Sequence, residues 1–101
     1  MVIDINLKRM RKSADQAVDL MKVLGNRDRM MLLCEINQGE RCVSELEELL
    51  EIHQPTLSQQ LTVLRKKKLV KTRREGKQIY YSASSPIAMS VMALLYQNYC
   101  M

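Results

Sequence analysis

Three cysteines are the residues of this 101-residue chain whose side chains could do redox or metal chemistry: Cys34, Cys42 and Cys100. A thiolate is a nucleophile and a soft-metal ligand, whereas a buried thiol behaves as a small apolar side chain. Cys100 is the penultimate residue, and chain ends are rarely fixed in a core, so burial suits it poorly. The cysteines by themselves therefore predict a three-thiolate metal site, a reactive dithiol, or buried side chains.

The single histidine, His53, does not predict catalysis. Its sequence neighbours do not form the pattern of a catalytic triad, and the isolated glycines form no phosphate-binding loop. We therefore expect that the protein is not an enzyme, and that His53 caps a helix or contacts phosphate. A zinc or nickel site on the last helix would need His or carboxylate ligands, which residues 86–101 lack, so we expect no metal site of that kind.

A polar-faced helix is predicted after Pro55, whose fixed backbone angle suits a first helical turn. Leu57, Leu61 and Leu64 form an apolar stripe at helical spacing. Short hydroxyl and amide side chains lie on the other face, which ends in basic residues. Gln59 is the first choice for a base contact, because its amide can make two hydrogen bonds to an adenine edge. The full set of expected DNA contacts here is Gln54, Thr56, Ser58, Gln59, Thr62, Arg65 and Lys66.

A basic β-hairpin is predicted next. Segments 69–73 and 78–82 are rich in β-branched and aromatic residues, and turn residues 74–77 lie between them. Residues 65–77 hold half of the chain's 16 Lys and Arg, against one acid, Glu75. A helix followed by such a hairpin is typical of a winged helix-turn-helix, whose helix enters the major groove while the hairpin lies along the backbone. The expected phosphate contacts of the hairpin are Arg74 and Lys77.

Helical periodicity predicts four more helices and one short strand. The helices are expected at about 6–24, 27–38, 44–50 and 86–100, and the strand at 41–43. Ser44 to Glu47 matches a capping box for the third of these helices. The last helix is apolar nearly all round, so we expect it to pack both on its own domain and on a second subunit.

Length and composition predict one domain, residues 1–101, that gains buried area by dimerisation. The chain is 47% hydrophobic but lacks Phe and Trp, so its core is expected to use Leu, Ile, Val and eight Met. The net charge of +5 favours an anionic partner such as double-stranded DNA. Neither a membrane-spanning stretch nor a signal-peptide pattern is found, so we expect a cytoplasmic protein with reduced cysteines.

The order of these elements and four segments resemble the ArsR/SmtB family of small dimeric bacterial repressors. The segments are LGNRDRMMLLCEI, CVSELEELL, QPTLSQQLTVLRKKKLV and TRREGKQIYY, and the resemblance extends over nearly the whole chain. It implies a mainly α fold with a small β-hairpin and a homodimer formed through the first and last helices. It also implies that the dimer represses transcription by binding operator DNA.

Cys34 and Cys100 further resemble the thiol-switch branch of this family, which implies that the pair senses reactive sulfur species or oxidants and then releases the operator. His53 departs from the family pattern, since a serine cap is frequent there. Cys42 stands where metal-sensing relatives carry the first cysteine of a motif, and Ser44 replaces the second. The alternatives are a soft-metal or arsenite-sensing repressor that uses all three cysteines, and a winged helix that binds a protein instead of DNA.

Overall fold

The computed structural model describes residues 6–100, which form five helices and a three-stranded antiparallel sheet. The helices are α1 (Leu7–Leu24), α2 (Arg27–Asn37), α3 (Val43–Leu50), α4 (Thr56–Lys66) and α5 (Pro86–Tyr99). The strands are β1 (Arg41–Cys42), β2 (Val70–Glu75) and β3 (Gln78–Ala83). Helices α3 and α4 followed by the β2–β3 hairpin confirm the predicted winged helix-turn-helix.

Side-chain caps fix the starts of two helices where the sequence predicted them. Asn26 Oδ1 accepts a hydrogen bond from the backbone N–H of Arg29 at 3.0 Å, which caps α2. Ser85 Oγ accepts one from the backbone N–H of Ala88 at 3.2 Å, which caps α5. Each cap satisfies an N–H that has no partner inside its helix.

Helix α3 begins earlier than predicted, and the Ser44–Glu47 capping box is wrong. Cys42 is the cap, and its backbone N–H donates to Glu45 Oε1 at 3.0 Å. The reason is tertiary: Cys42 pairs with Tyr80 across the sheet, so the strand ends there and the helix starts at Val43. Hydrogen bonds from the backbone and then the side chain of Cys42 hold the pKa of the Glu45 carboxyl below its usual range.

The sheet joins the hairpin to the rest of the fold. Strands β2 and β3 pair in register from Val70 opposite Ala83 to Glu75 opposite Gln78, and β1 pairs with the other edge of β3. Gly76 supplies the positive φ of 61° that the hairpin turn needs. Because β1 directly precedes α3, the hairpin is hydrogen-bonded to the chain that leads into the helix-turn-helix.

The core lies where α2, α3 and α4 meet, with α5 covering α2. Its fully buried side chains are Leu32, Leu33, Ile36, Leu46, Leu57, Leu61 and Leu64, which confirms the predicted stripe of α4. The expectation of a methionine-rich core is wrong for the described residues, because Met92 is buried but Met10, Met21 and Met89 are exposed on α1 and α5. Within residues 6–100, no element covers the outer faces of those two helices.

Candidate nucleic-acid interface and thiol pair

Burial of its leucine stripe directs the polar face of α4 to solvent. We call the predicted contact residues of this helix and its start the recognition surface. Thr56 is partly buried, and the other members are exposed: Gln54, Ser58, Gln59, Thr62, Arg65 and Lys66. The structure therefore brings the predicted residues together on an accessible face that ends in two cations.

Hydrogen bonds within α4 hold several of these side chains in place. Gln54 Oε1 accepts from the backbone N–H of Ser58 at 3.0 Å, and Thr62 Oγ1 donates to the carbonyl of Ser58 at 2.7 Å. Gln54 therefore caps α4, a role that the sequence did not predict for it. His53 contributes its backbone carbonyl, which accepts from Leu57 N–H at 3.1 Å. Within residues 6–100 no side-chain hydrogen bond engages the Gln59 amide, so it can meet a base edge.

The basic residues of the hairpin fall into two kinds. Arg74 and Lys77 are exposed, as the phosphate-contact prediction needs. Arg73 is already paired. Its guanidinium donates to both carboxylate oxygens of Glu40 at 2.7 and 2.8 Å and to Glu75 at 2.6 Å, and it lies 4.6 Å from the centroid of the Tyr80 ring.

These ion pairs change the charge available on the hairpin. The Arg73 hydrogen bonds hold the pKa of the Glu40 carboxyl below its usual range, and the two carboxylates raise the pKa of Arg73 above its usual range. Arg73 thus fastens β2 to the residue before β1. Counting basic residues in the sequence missed this pairing, since Glu40 lies 33 positions away.

Cys34 and Cys100 are carried by helices that pack on each other. Cys34 is half-buried in α2, while Cys100 follows the last turn of α5 and is exposed. Burial raises the pKa of the Cys34 thiol, the nearby charge of Cys100 and then of Glu35 raises it further, and a hydrogen bond with Gln38 acts in the opposite direction. Because α2 packs on α5, Cys34 and Cys100 lie on the same pair of packed helices.

A cleft of about 490 Å³ lies beside Cys34 and is lined by residues of both α2 and α5. We call it the thiol cleft. Its α2 wall is formed by Cys34, Asn37 and Gln38. Its α5 wall is mainly apolar, with Met89, Met92, Ala93, Tyr96 and Gln97. Asn37 Oδ1 is buried without a hydrogen-bond partner in the described part of the chain. The thiol cleft therefore places a thiol opposite a mainly apolar wall.

Cys42 does not belong to this arrangement. It is buried at the start of α3, and its Sγ lies 3.3 Å from Ser44 Oγ. Across residues 6–100, no three Cys, His or carboxylate side chains are grouped so that they could hold a metal ion. The three-thiolate site of Cys34, Cys42 and Cys100 is therefore not formed in this arrangement of the chain.

Comparison with known proteins identifies the family. The model of the "Bacterial regulatory protein, arsR family" matches residues 26–72. The chain is 46% identical over 97 residues to the biofilm growth-associated repressor of Agrobacterium fabrum. The aligned segment covers 96% of this chain and 83% of the relative. The chain belongs to the ArsR family.

Two solved structures of similar proteins share the whole fold. Reduced HlyU from Vibrio cholerae superposes with a TM-score of 0.90 at 38% identity, over 94% of this chain and all of that one. The transcriptional repressor BigR from Xylella fastidiosa superposes with a TM-score of 0.86 at 41% identity, over 96% and 99% of the two chains. The resemblance to the ArsR branch that contains BigR and HlyU is thereby confirmed, as is the expectation of a regulator and not an enzyme. No helix in residues 6–100 of this ArsR-family chain is both long enough and apolar enough to cross a membrane.

Proposed function

We propose that the protein is a homodimeric transcriptional repressor of the bacterial cytoplasm, released from its operator by oxidation or by polysulfide reaction at Cys34 and Cys100. The observation that carries this proposal is the position of the two thiols. Cys34 lies on α2 beside a mainly apolar cleft, and Cys100 directly follows α5, which packs on α2, while the exposed recognition surface lies on another helix. One small chain thus contains both a DNA-binding face and a candidate chemical sensor.

Exposed apolar faces on α1 and α5 support the dimer. Met21 on α1 is 63% exposed, and Ile87 and Tyr99 on α5 are 68% and 82% exposed. Large apolar side chains grouped on the surface of a small domain usually mark an interaction site. A second copy that packs on both helices would bury them and would present two recognition surfaces to one palindromic operator.

The reaction with an organic trisulfide, R–S–S–S–R, illustrates the proposed switch. The Cys34 thiolate attacks the central sulfur, one S–S bond breaks, and R–S⁻ leaves as a thiol after protonation. The Cys100 thiolate then attacks the same sulfur and expels the second R–S⁻. The products are a trisulfide bridge, Cys34 Sγ–S–Sγ Cys100, in which the middle sulfur comes from the reagent, and two R–SH, so the protein is oxidised and the organic trisulfide is reduced. The apolar wall of the thiol cleft can accommodate the organic groups.

Bridging would act on DNA binding through helix α2. This helix packs on both α4 and α5, so a covalent link between α2 and the end of α5 constrains their relative position. In a dimer held by α1 and α5, such a shift changes the spacing of the two α4 helices. They must enter successive major grooves about 34–36 Å apart, so a changed spacing weakens DNA binding at both half-sites.

A salt titration tests DNA binding. The reduced protein should bind a duplex selected from a randomised library more than about tenfold more tightly than random DNA, with a steep salt dependence. Equal affinity for both duplexes would favour the protein-binding winged helix instead. Mass spectrometry after exposure to polysulfide, peroxide or arsenite then identifies the inducer, because each leaves a different mass on the Cys34 and Cys100 peptides.

A further inference from the structure

Arg29 near the start of α2 joins the end of α1 to α4, the helix that carries the recognition surface. Its Nε donates to the carbonyl of Val23 at 2.7 Å and its Nη2 to the carbonyl of Lys22 at 3.2 Å. Its Nη1 donates to Gln60 Oε1 at 2.8 Å. A single guanidinium therefore connects two helices that are distant in the chain, while Arg29 itself belongs to a third.

The chemistry of these contacts favours arginine. The last carbonyls of a helix lack partners inside it and carry partial negative charge, so a cation at the end of α1 stabilises that end. The five N–H groups of a guanidinium point in fixed directions, and two carbonyls and an amide oxygen use three of them here. A lysine ammonium is a point charge on a flexible stem and cannot reproduce this geometry.

Within residues 6–100, one other polar side-chain contact joins α1 to the residue that follows α4. The Lys67 ammonium lies 3.3 Å from the Asp19 carboxylate, but both side chains are exposed, and exposed ion pairs contribute little. The Arg29–Gln60 hydrogen bond is partly buried and involves a charged donor, so it should be stronger. Gln60 is partly buried beside exposed Gln59, so its hydrogen bond to Arg29 adds to the buried leucine stripe in holding the rotation of α4 about its axis.

We propose that Arg29 is a positioning residue for operator recognition, which sets the rotation of α4 relative to α1 without touching DNA. This inference rests on the proposed function, since α1 is there part of the dimer interface. Arg29 would then transmit the position of the partner subunit to the side chains that read bases. The proposed role of Arg29 does not depend on the chemistry of Cys34 and Cys100.

A double-mutant cycle of Arg29→Lys and Gln60→Leu tests the proposal on two probes: a duplex selected from a randomised library by the wild-type protein, and a random duplex of equal length. Each single variant should bind the selected duplex at least about fivefold more weakly than the wild-type protein does. The double variant should bind it no more weakly than the weaker-binding single variant. Affinity for random DNA should stay within about twofold, and the salt slope should not change, because every phosphate-binding side chain is retained. Additive effects of the two substitutions would mean that Gln60 binds DNA by itself, and would overturn the proposal.

Two matched controls separate positioning from general destabilisation. Asp19→Asn removes the exposed ion pair and should leave both affinities within about twofold. Ile36→Val loosens the core and should lower the thermal unfolding temperature without changing the ratio of selected to random binding. If Ile36→Val changes that ratio as much as Gln60→Leu does, the proposal is wrong. A wild-type protein that selects no duplex from the library would instead contradict the proposed function.

Discussion

On the recognition surface, polar and cationic side chains lie in water on one face of one helix, whereas the thiol cleft places a half-buried sulfur against apolar side chains of a second helix. The first region is built from residues within about three helical turns. The second brings Cys34 of α2 against Met89, Met92 and Tyr96 of α5, which are far away in the sequence. The difference means that the proposed DNA binding and the proposed thiol reaction should respond to different solution conditions. Charge in water is screened by salt, while thiol reactivity follows burial and pH.

The largest expected effect distinguishes variants of Cys34 and Cys100 from a variant of the third cysteine, Cys42. Cys34→Ser and Cys100→Ser should each bind operator when reduced and keep it after polysulfide treatment, whereas the wild-type affinity should fall by about 5–150-fold. Fluorescence anisotropy with labelled operator measures both states. Cys42→Ser is the control and should release DNA like wild type, because Cys42 lies apart from the other two thiols.

Loss of the polysulfide response in Cys42→Ser alone would contradict the assignment of the sensor to Cys34 and Cys100. Release of the operator by arsenite but not by polysulfide would also contradict the dithiol and favour a soft-metal sensor.

Within the recognition surface, Gln59→Ala and Lys66→Ala should have different effects on specific and on random-DNA affinity. Gln59→Ala removes a base-reading amide but no charge, so specific affinity should fall by about 1–3 kcal/mol while random-DNA binding is nearly unchanged. Lys66→Ala should weaken binding to both duplexes. Titrations of operator and random duplex under one salt condition compare them. Similar weakening on random DNA would show that this assignment of base readers and phosphate-binding residues is wrong.

Arg74 and Arg73 make a matched pair on neighbouring positions of β2. Arg74→Ala should flatten the salt dependence by about one unit of slope for each phosphate that the arginine neutralises. Arg73→Ala should change the slope less, because Glu40 and Glu75 already neutralise that guanidinium. Affinity measured at four or more salt concentrations gives both slopes. Equal slopes would mean that Arg73 leaves its carboxylates when DNA binds.

The smallest effect concerns pH. Burial, and then the charge of Cys100, raises the pKa of Cys34, so its thiolate fraction at neutral pH is lower than in an unfolded chain. The rate of Cys34 alkylation by iodoacetamide should therefore rise with pH and level off at a higher pH than in the urea-unfolded protein. Peptide mass spectrometry over a pH series follows this thiol alone. Levelling off at a lower pH in the folded protein would contradict the burial of Cys34.

The sequence predicted best the features that depend on near neighbours. The leucine stripe of α4, the hairpin and the helix bounds follow from periodicities of 3.6 and 2, and the structure confirms them to within a few residues. The cap of α3 was wrong, because the pairing of Cys42 with Tyr80 decided where the strand ended and the helix began. Met10, Met21 and Met89 were misplaced for a related reason, since composition does not tell which apolar face remains uncovered.

By itself, therefore, the sequence determined the order of elements, the exposed polar face of α4 and the cluster of basic residues that follows it. Only the tertiary structure decided that the helix of Cys34 packs on the helix that leads to Cys100, that Arg73 is bound by Glu40, and that Arg29 reaches α1 and Gln60. These contacts join residues far apart in the chain. Their distances depend on how whole helices and strands pack, which the local spacing of residue types does not specify.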